Sequence, residues 1–241
     1  VELGLADGQL GNLSGAAADF RHALLLNPRL ATAHTLLGVA LRRQEDHAGA
    51  LAQFRKAVEI DANDPEAQLN LGKELKSAGD LSGAIAAFQR TVDLKPDLEE
   101  AHYNLGMALR SQGKTAAAQK ELKEVSGLHD FRTRLAQAKM LTLQGVEALK
   151  EQKLDEALDY FRKSIEESPE LPTGYYYLGV TWERKGDAEQ ALTAFEKALE
   201  LKPDYAQAHS SLGLLYWRQN EQARALEEFR QATMCAPDLA E

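Results

Sequence analysis

Cysteine is nearly absent from this chain, with one residue, Cys235, in 241. A single thiol excludes an internal disulfide framework, and with no Cys-x-x-Cys or Cys/His pairing it also excludes the usual zinc staples. Cys235 shares its phase with Ile60 and Leu201, which predicts a packed thiol rather than a reactive one. Long apolar runs are missing too. None approaches the roughly 20 residues of a membrane helix, so membrane insertion is not expected, and the opening Val-Glu-Leu-Gly does not resemble a signal peptide. The compartment stays open. Basic residues are in deficit, 28 against 37 acidic, for a net charge of −9 and a pI near 5.3. Phosphate neutralisation needs the opposite balance, so nucleic-acid binding driven by overall charge is excluded. Aromatics make up only 7%. A core built from this composition must close largely on small residues.

What the chain does have is a ruler. Gly4, Gly38, Gly72 and Gly106 are 34 residues apart, and Gly145, Gly179 and Gly213 resume the same step. Twelve residues after each glycine comes Ala16, Ala50, Ala84, Ala118, Ala157, Ala191 or Ala225. Four further on stands Phe20, Phe54, Phe88, Leu122, Phe161, Phe195 or Phe229. Proline closes most copies, at Pro28, Pro96, Pro169, Pro203 and Pro237. This order at this period resembles the tetratricopeptide repeat family over essentially the whole chain. The resemblance implies an all-α, right-handed superhelical solenoid of antiparallel helix pairs, seven in number. Such an array grows without a central core, which suits the scarcity of aromatics.

The sixth copy shows the unit. Its first helix is predicted from about Pro172 to Lys185, with Tyr175, Leu178, Gly179 and Trp182 at helical spacing. Gly186-Asp187 closes that helix and caps a second, whose apolar stripe is Ala191, Leu192, Phe195, Ala198 and Leu199. Gly79-Asp80 and Gly113-Lys114 repeat the turn, Gly11 supplies it in the first copy, and Asn220 replaces the glycine in the last. A side chain at the repeat glycine is expected to collide with the second helix of its own unit, and the phenylalanine to fill the gap between successive units.

The ruler slips once, by five residues, between Gly106 and Gly145. Ser126-Gly127 offers a helix stop there, and Asp130 a cap for a helix running to about Gln152, longer than its counterparts. The array therefore divides into residues 1–132, four repeats with the first truncated at its N-terminus, and 133–241, three repeats beginning with the elongated helix. Their formal charges are −3 and −6. Neither end shows a polar capping helix, so the chain reads as a piece of a continuing array or a longer protein.

Catalytic and cofactor signals dissolve on inspection. Gln112-Gly113-Lys114-Thr115 resembles the end of a P-loop, but Ala108 stands where the upstream glycine is needed and no strand precedes it. The Gly4, Gly8, Gly11 cluster belongs to the repeat and its turn. His34, His102 and His209 occupy one repeat position, about 10 Å apart in successive units at helix-packing distance, too far to share a metal. Asn12-Leu13-Ser14 is a glycosylation sequon, meaningful only in a secretory setting. No enzyme, cofactor or metal is expected.

The resemblance implies that first helices line a concave groove, with residues two or three before the repeat glycine and one, four or five after it pointing inward. At those offsets stand Arg42, Arg43, Asn70, Lys73, Lys76, Tyr103, Asn104, Met107 and Arg110, a basic stretch in an acidic protein. That inversion favours an acidic extended peptide. Asn70 and Asn104 resemble two rungs of the asparagine ladder of the O-linked glycosyltransferase arrays, which breaks at Leu36, Leu143, Tyr177 and Ser211. The family's chaperone-binding carboxylate clamp finds only Asn104 and Lys139 and is rejected. Later repeats present Tyr176, Tyr177, Val180, Leu214 and Trp217, an apolar groove suited to a hydrophobic segment. The expected function is a non-catalytic scaffold binding a protein or peptide in the groove. The competing readings are a structural subunit that self-associates end to end, and an accessory array of a larger enzyme such as a glycosyltransferase.

Overall fold

The computed structural model describes residues 12–236 together with Val1, Glu2 and Gly4. The expected first helix with its Gly8 and Gly11, and the closing Pro237, lie outside the described residues. Among the described residues there are twelve helices and no strand. They are α1 Leu13–Leu26, α2 Ala31–Arg43, α3 His47–Ile60, α4 Pro65–Ser77, α5 Leu81–Leu94, α6 Glu99–Ser111, α7 Thr115–Lys150, α8 Leu154–Glu167, α9 Pro172–Lys185, α10 Ala188–Leu201, α11 Ala206–Arg218 and α12 Gln222–Cys235. Two compact units divide the chain, Val1–His129 and Asp130–Glu241.

Local chemistry sets the helix boundaries. Short polar side chains supply the donor-poor first turns with acceptors. Asn12, Asp46, Asp80 and Asp187 accept from the backbone N–H three residues on at 2.8–3.1 Å, and Asp64 accepts from Glu66 and Ala67 ahead of Pro65. Within a pair, the first helix ends on a residue in the left-handed region: Glu45 (φ 64°), Gly79 (85°), Gly113 (81°), Gln152 (61°), Gly186 (83°) and Asn220 (65°). Only half of these carry the glycine that the geometry favours. Glu45→Gly and Gln152→Gly are therefore each expected to raise stability by about 0.5–1 kcal/mol, the relief of left-handed strain less the entropy cost of glycine. Thermal melting checks this, and a fall in both variants would contradict it.

The repeat glycine does what its phase predicts. A Cβ built on Gly38, Gly72, Gly145, Gly179 or Gly213 would lie 2.5–2.7 Å from the ring of Phe54, Phe88, Phe161, Phe195 or Phe229, and one on Gly4 2.7 Å from Phe20. The phenylalanine serves its own unit as well as the next, since Phe161 also stacks on Tyr177 of the following unit at 5.7 Å. Its ring edge seats in the notch left by the glycine of its own unit, and the two helices of a pair approach because that notch is empty. Gly106 faces Leu122 instead, with a looser 3.0 Å. Small residues complete the interior: Ala50, Ala84, Ala157, Ala191 and Ala225 are fully buried.

In the first unit each helix packs on the next, and α2 touches α4, which touches α6. The first helices thus form one face and α1, α3 and α5 the other. The expected break at Ser126-Gly127 is absent. The α7 helix runs through both residues, and Gly127 has nothing near enough to need a glycine. A lone serine and glycine cost a long helix little when no proline or capping turn follows. Within the second unit, the later part of α7 pairs with α8 through a buried trio: the Ala138 carbonyl accepts from Thr142 Oγ1 at 3.0 Å and from Ser164 Oγ at 2.8 Å.

Candidate functional site

The first-helix face of the first unit carries the residues singled out from sequence, and the structure sorts them by what they already hold. Arg42 is committed. Its Nη1 donates to Asn70 Oδ1 at 2.8 Å, its Nε lies 3.8 Å from Glu74 Oε1, and its guanidinium sits 5.6 Å from the centre of the Phe54 ring. Glu74 is 3% exposed, and its other oxygen is 3.0 Å from His47 Nδ1. A buried carboxylate needs this company, because desolvation disfavours its charge until cations and donors replace the lost water. Asn70 is buried as well and donates to the Glu66 carbonyl at 2.9 Å. It presents no free ladder rung.

Lys73 is half committed. Its Nζ lies 2.6 Å from Glu100 Oε1, and the two side chains remain 29% and 52% exposed. Asn104 donates to the Glu100 carbonyl at 2.8 Å. By contrast Arg43, Lys76 and Arg110 make no ion pair among the described residues. They stand in the last turns of α2, α4 and α6, where helix dipoles favour cations. Tyr103 is exposed and Met107 half-buried on the same stretch of α6.

In the second unit the aromatic candidates separate. Tyr176 and Tyr177 pack edge to face at 5.0 Å. Tyr177 stacks on Phe161 at 5.7 Å, and Tyr176 lies 5.8 Å from Phe195 and 5.0 Å from Tyr205. Burial pushes the ionisation of Tyr176 upward, opposed by its hydrogen bond with Ser211, and burial does the same to Tyr205. Tyr176 and Tyr177 pack in this way yet stay half-buried, and Tyr176 lines a cavity with Ser211, Leu214 and Phe229. Trp217 and Leu214, on α11, stay open to solvent.

Sequence reasoning missed the acids. Glu74 and Glu100 neutralise two of the five cations. Glu74 had a signal: it stands two residues after its repeat glycine, where Ala40 and Ala108 occupy the same place in neighbouring units. Glu100 had none, because its pairing depends on how α4 meets α6. The three equivalent histidines prove to be ties. His34, His102 and His209 each bond through Nε2 to the carbonyl of the proline before them, at 2.9–3.0 Å. Through Nδ1 each reaches Gln53, Glu121 or Glu228 on the following helix at 2.7–2.8 Å. Among the described residues no cluster of His, Cys, Asp or Glu could hold a metal ion, and no helix is long and apolar enough to cross a membrane.

Comparison with known proteins follows the repeat. A tetratricopeptide repeat model matches residues 1–65 and 105–172, another matches 206–239, and one described as TPR repeat matches 72–113 and 184–220. No curated protein matches the chain in sequence. Among solved structures, a tetratricopeptide repeat protein from Parabacteroides merdae is 20% identical over 98% of this chain and 91% of its own, with a TM-score of 0.50. That likeness is one of fold. YrrB, described as a TPR protein with an unusual peptide-binding site, is 24% identical over 80% of this chain and 96% of its own, at a TM-score of 0.45. MamA from Desulfovibrio magneticus RS-1 is 20% identical over 88% and 97%, at 0.36.

Proposed function

The chain belongs to the tetratricopeptide repeat family, and on that footing we propose that it is a non-catalytic scaffold holding an acidic, extended protein segment along the first-helix face of its first unit. The family's fold supports a role in protein interaction. One observation carries the choice of ligand: Arg43, Lys76 and Arg110 stand unpaired among the described residues on three adjoining helices of a protein with net charge −9. Cations gathered on one face focus the field towards an anion, and carboxylates in an extended segment can meet them in turn. Tyr103 and Met107 supply apolar contact beside Arg110.

Binding of a fluorescein-labelled octa-aspartate peptide tests this. Affinity is expected to fall as salt rises, because exposed charges are screened over about 8–10 Å. Lys76→Glu with Arg110→Glu should abolish it. The same charge change at Lys56 and Lys120, both exposed on second helices, should leave it in place. Equal losses in the two double variants would reduce the effect to net charge and overturn the reading.

A second reading, end-to-end association, is favoured by the α11–α12 pair. Phe229 is half-buried where Phe195 is fully buried, and Leu226 is 53% exposed where its equivalent Leu192 is half-buried. Leu214 lines one cavity with Phe229, and Leu226 and Trp217 are exposed on the same helix pair, apolar surface that a further helix could cover. Sedimentation velocity over a wide concentration range distinguishes the readings: growth in size that Leu226→Asp suppresses supports association, and a constant monomer counts against it.

A further inference from the structure

The Lys73–Glu100 pair differs in kind from the Arg42–Glu74 pair, and the difference bears on what the first-unit face can hold. Arg42 cannot be recruited by a ligand. Turning it outward would break its bond to Asn70 and strand Glu74, a carboxylate with 3% exposure, beside His47 alone. Removing one partner of a buried pair is the costly case. Lys73 is recruitable, because its partner Glu100 is half exposed, where Glu74 is buried, and pairs with an exposed partner contribute little. A carboxylate arriving from outside would exchange for that of Glu100 at small cost. Glu100 nevertheless stays in place. It sits in the first turn of α6, where the helix dipole favours an acid.

Resting on the acidic-segment reading above, we propose that Glu100 is a built-in competitor for ligand carboxylate at Lys73 and so sets the selectivity of this face. Acids are accepted opposite Arg43, Lys76 and Arg110. Opposite Lys73 an acid must first displace Glu100 from the cation, so it gains little there and an uncharged residue is tolerated as well. This face thereby reads the spacing of acids in a segment, where a uniformly basic face would read only their number.

The test uses the octa-aspartate probe, which places an acid at every position. Glu100→Gln is expected to bind it about three- to fivefold more tightly at low salt, the scale of releasing one exposed pair. In the Lys73→Met background the same substitution should bring no gain, because the released cation is gone. A gain that survives there is a bulk-charge effect and overturns the proposal, as does unchanged or weaker binding by Glu100→Gln. If the wild-type chain fails to bind and Glu100→Gln binds, the acidic-segment reading falls for the native chain, and the expected scale of about three- to fivefold falls with it. If neither binds, the acidic-segment reading falls and this one with it. A wild-type chain whose binding is lost on reversing Lys76 and Arg110, while Glu100→Gln changes nothing, keeps the first and loses the second.

Discussion

Phe161→Ala is expected to cost about 3–5 kcal/mol of folding free energy, the range for deleting a buried ring whose cavity cannot collapse. The ring is fully buried, seats against Gly145 and stacks on Tyr177, with Ala148, Leu149 and Ala157 around it. Its walls are helix backbones held apart by their own hydrogen bonds, so they close only partly. A solenoid has no central core to share the loss, and most units carry one such ring. Phe229→Ala supplies the contrast, since its ring is only half-buried and should cost clearly less. Denaturant unfolding followed by circular dichroism measures both. Equal losses, or a loss below about 1 kcal/mol at Phe161, would refute the account of the notch and its ring.

Gly179→Leu is expected to destabilise by about 1–3 kcal/mol or more through overpacking. A Cβ at that position would already lie 2.7 Å from Phe195 Cε1, before the rest of the leucine is placed. Ala191→Leu should behave alike, because Ala191 is fully buried. The chain contains its own relaxed version of the contact. Gly106 faces Leu122, and there a Cβ would come no nearer than 3.0 Å. Gly179→Ala is therefore expected to be partly rescued by Phe195→Leu, a coupling that additive effects would not produce. Unchanged thermal unfolding in both leucine variants would sink the packing assignment.

The placement of candidate binding residues was legible as far as their helix. Counting from the repeat glycine put Arg42, Lys73, Lys76, Asn104 and Arg110 on first helices, which is a matter of helical period. Their engagement was not legible. Arg42 reaches Asn70 across 28 positions of chain and Lys73 reaches Glu100 across 27, so neither pairing follows from periodicity within one helix. The stop expected at Ser126-Gly127 failed for a related reason. Whether a weak breaker ends a helix depends on what the residues after it can pack against.

By itself, the sequence determined the all-α class, the two-helix unit, the turn between its helices and the small residues at their contact. These are local facts, since helical period, capping and left-handed turns are settled within a few neighbouring residues, and repetition restates them in every copy. Only the tertiary structure decided which ring fills which notch, that one helix continues from Thr115 to Lys150, and which of five cations remain free. Those outcomes depend on side chains from different helices meeting in space, where burial makes a charge such as Glu74 take a partner and exposure lets Glu100 give one up.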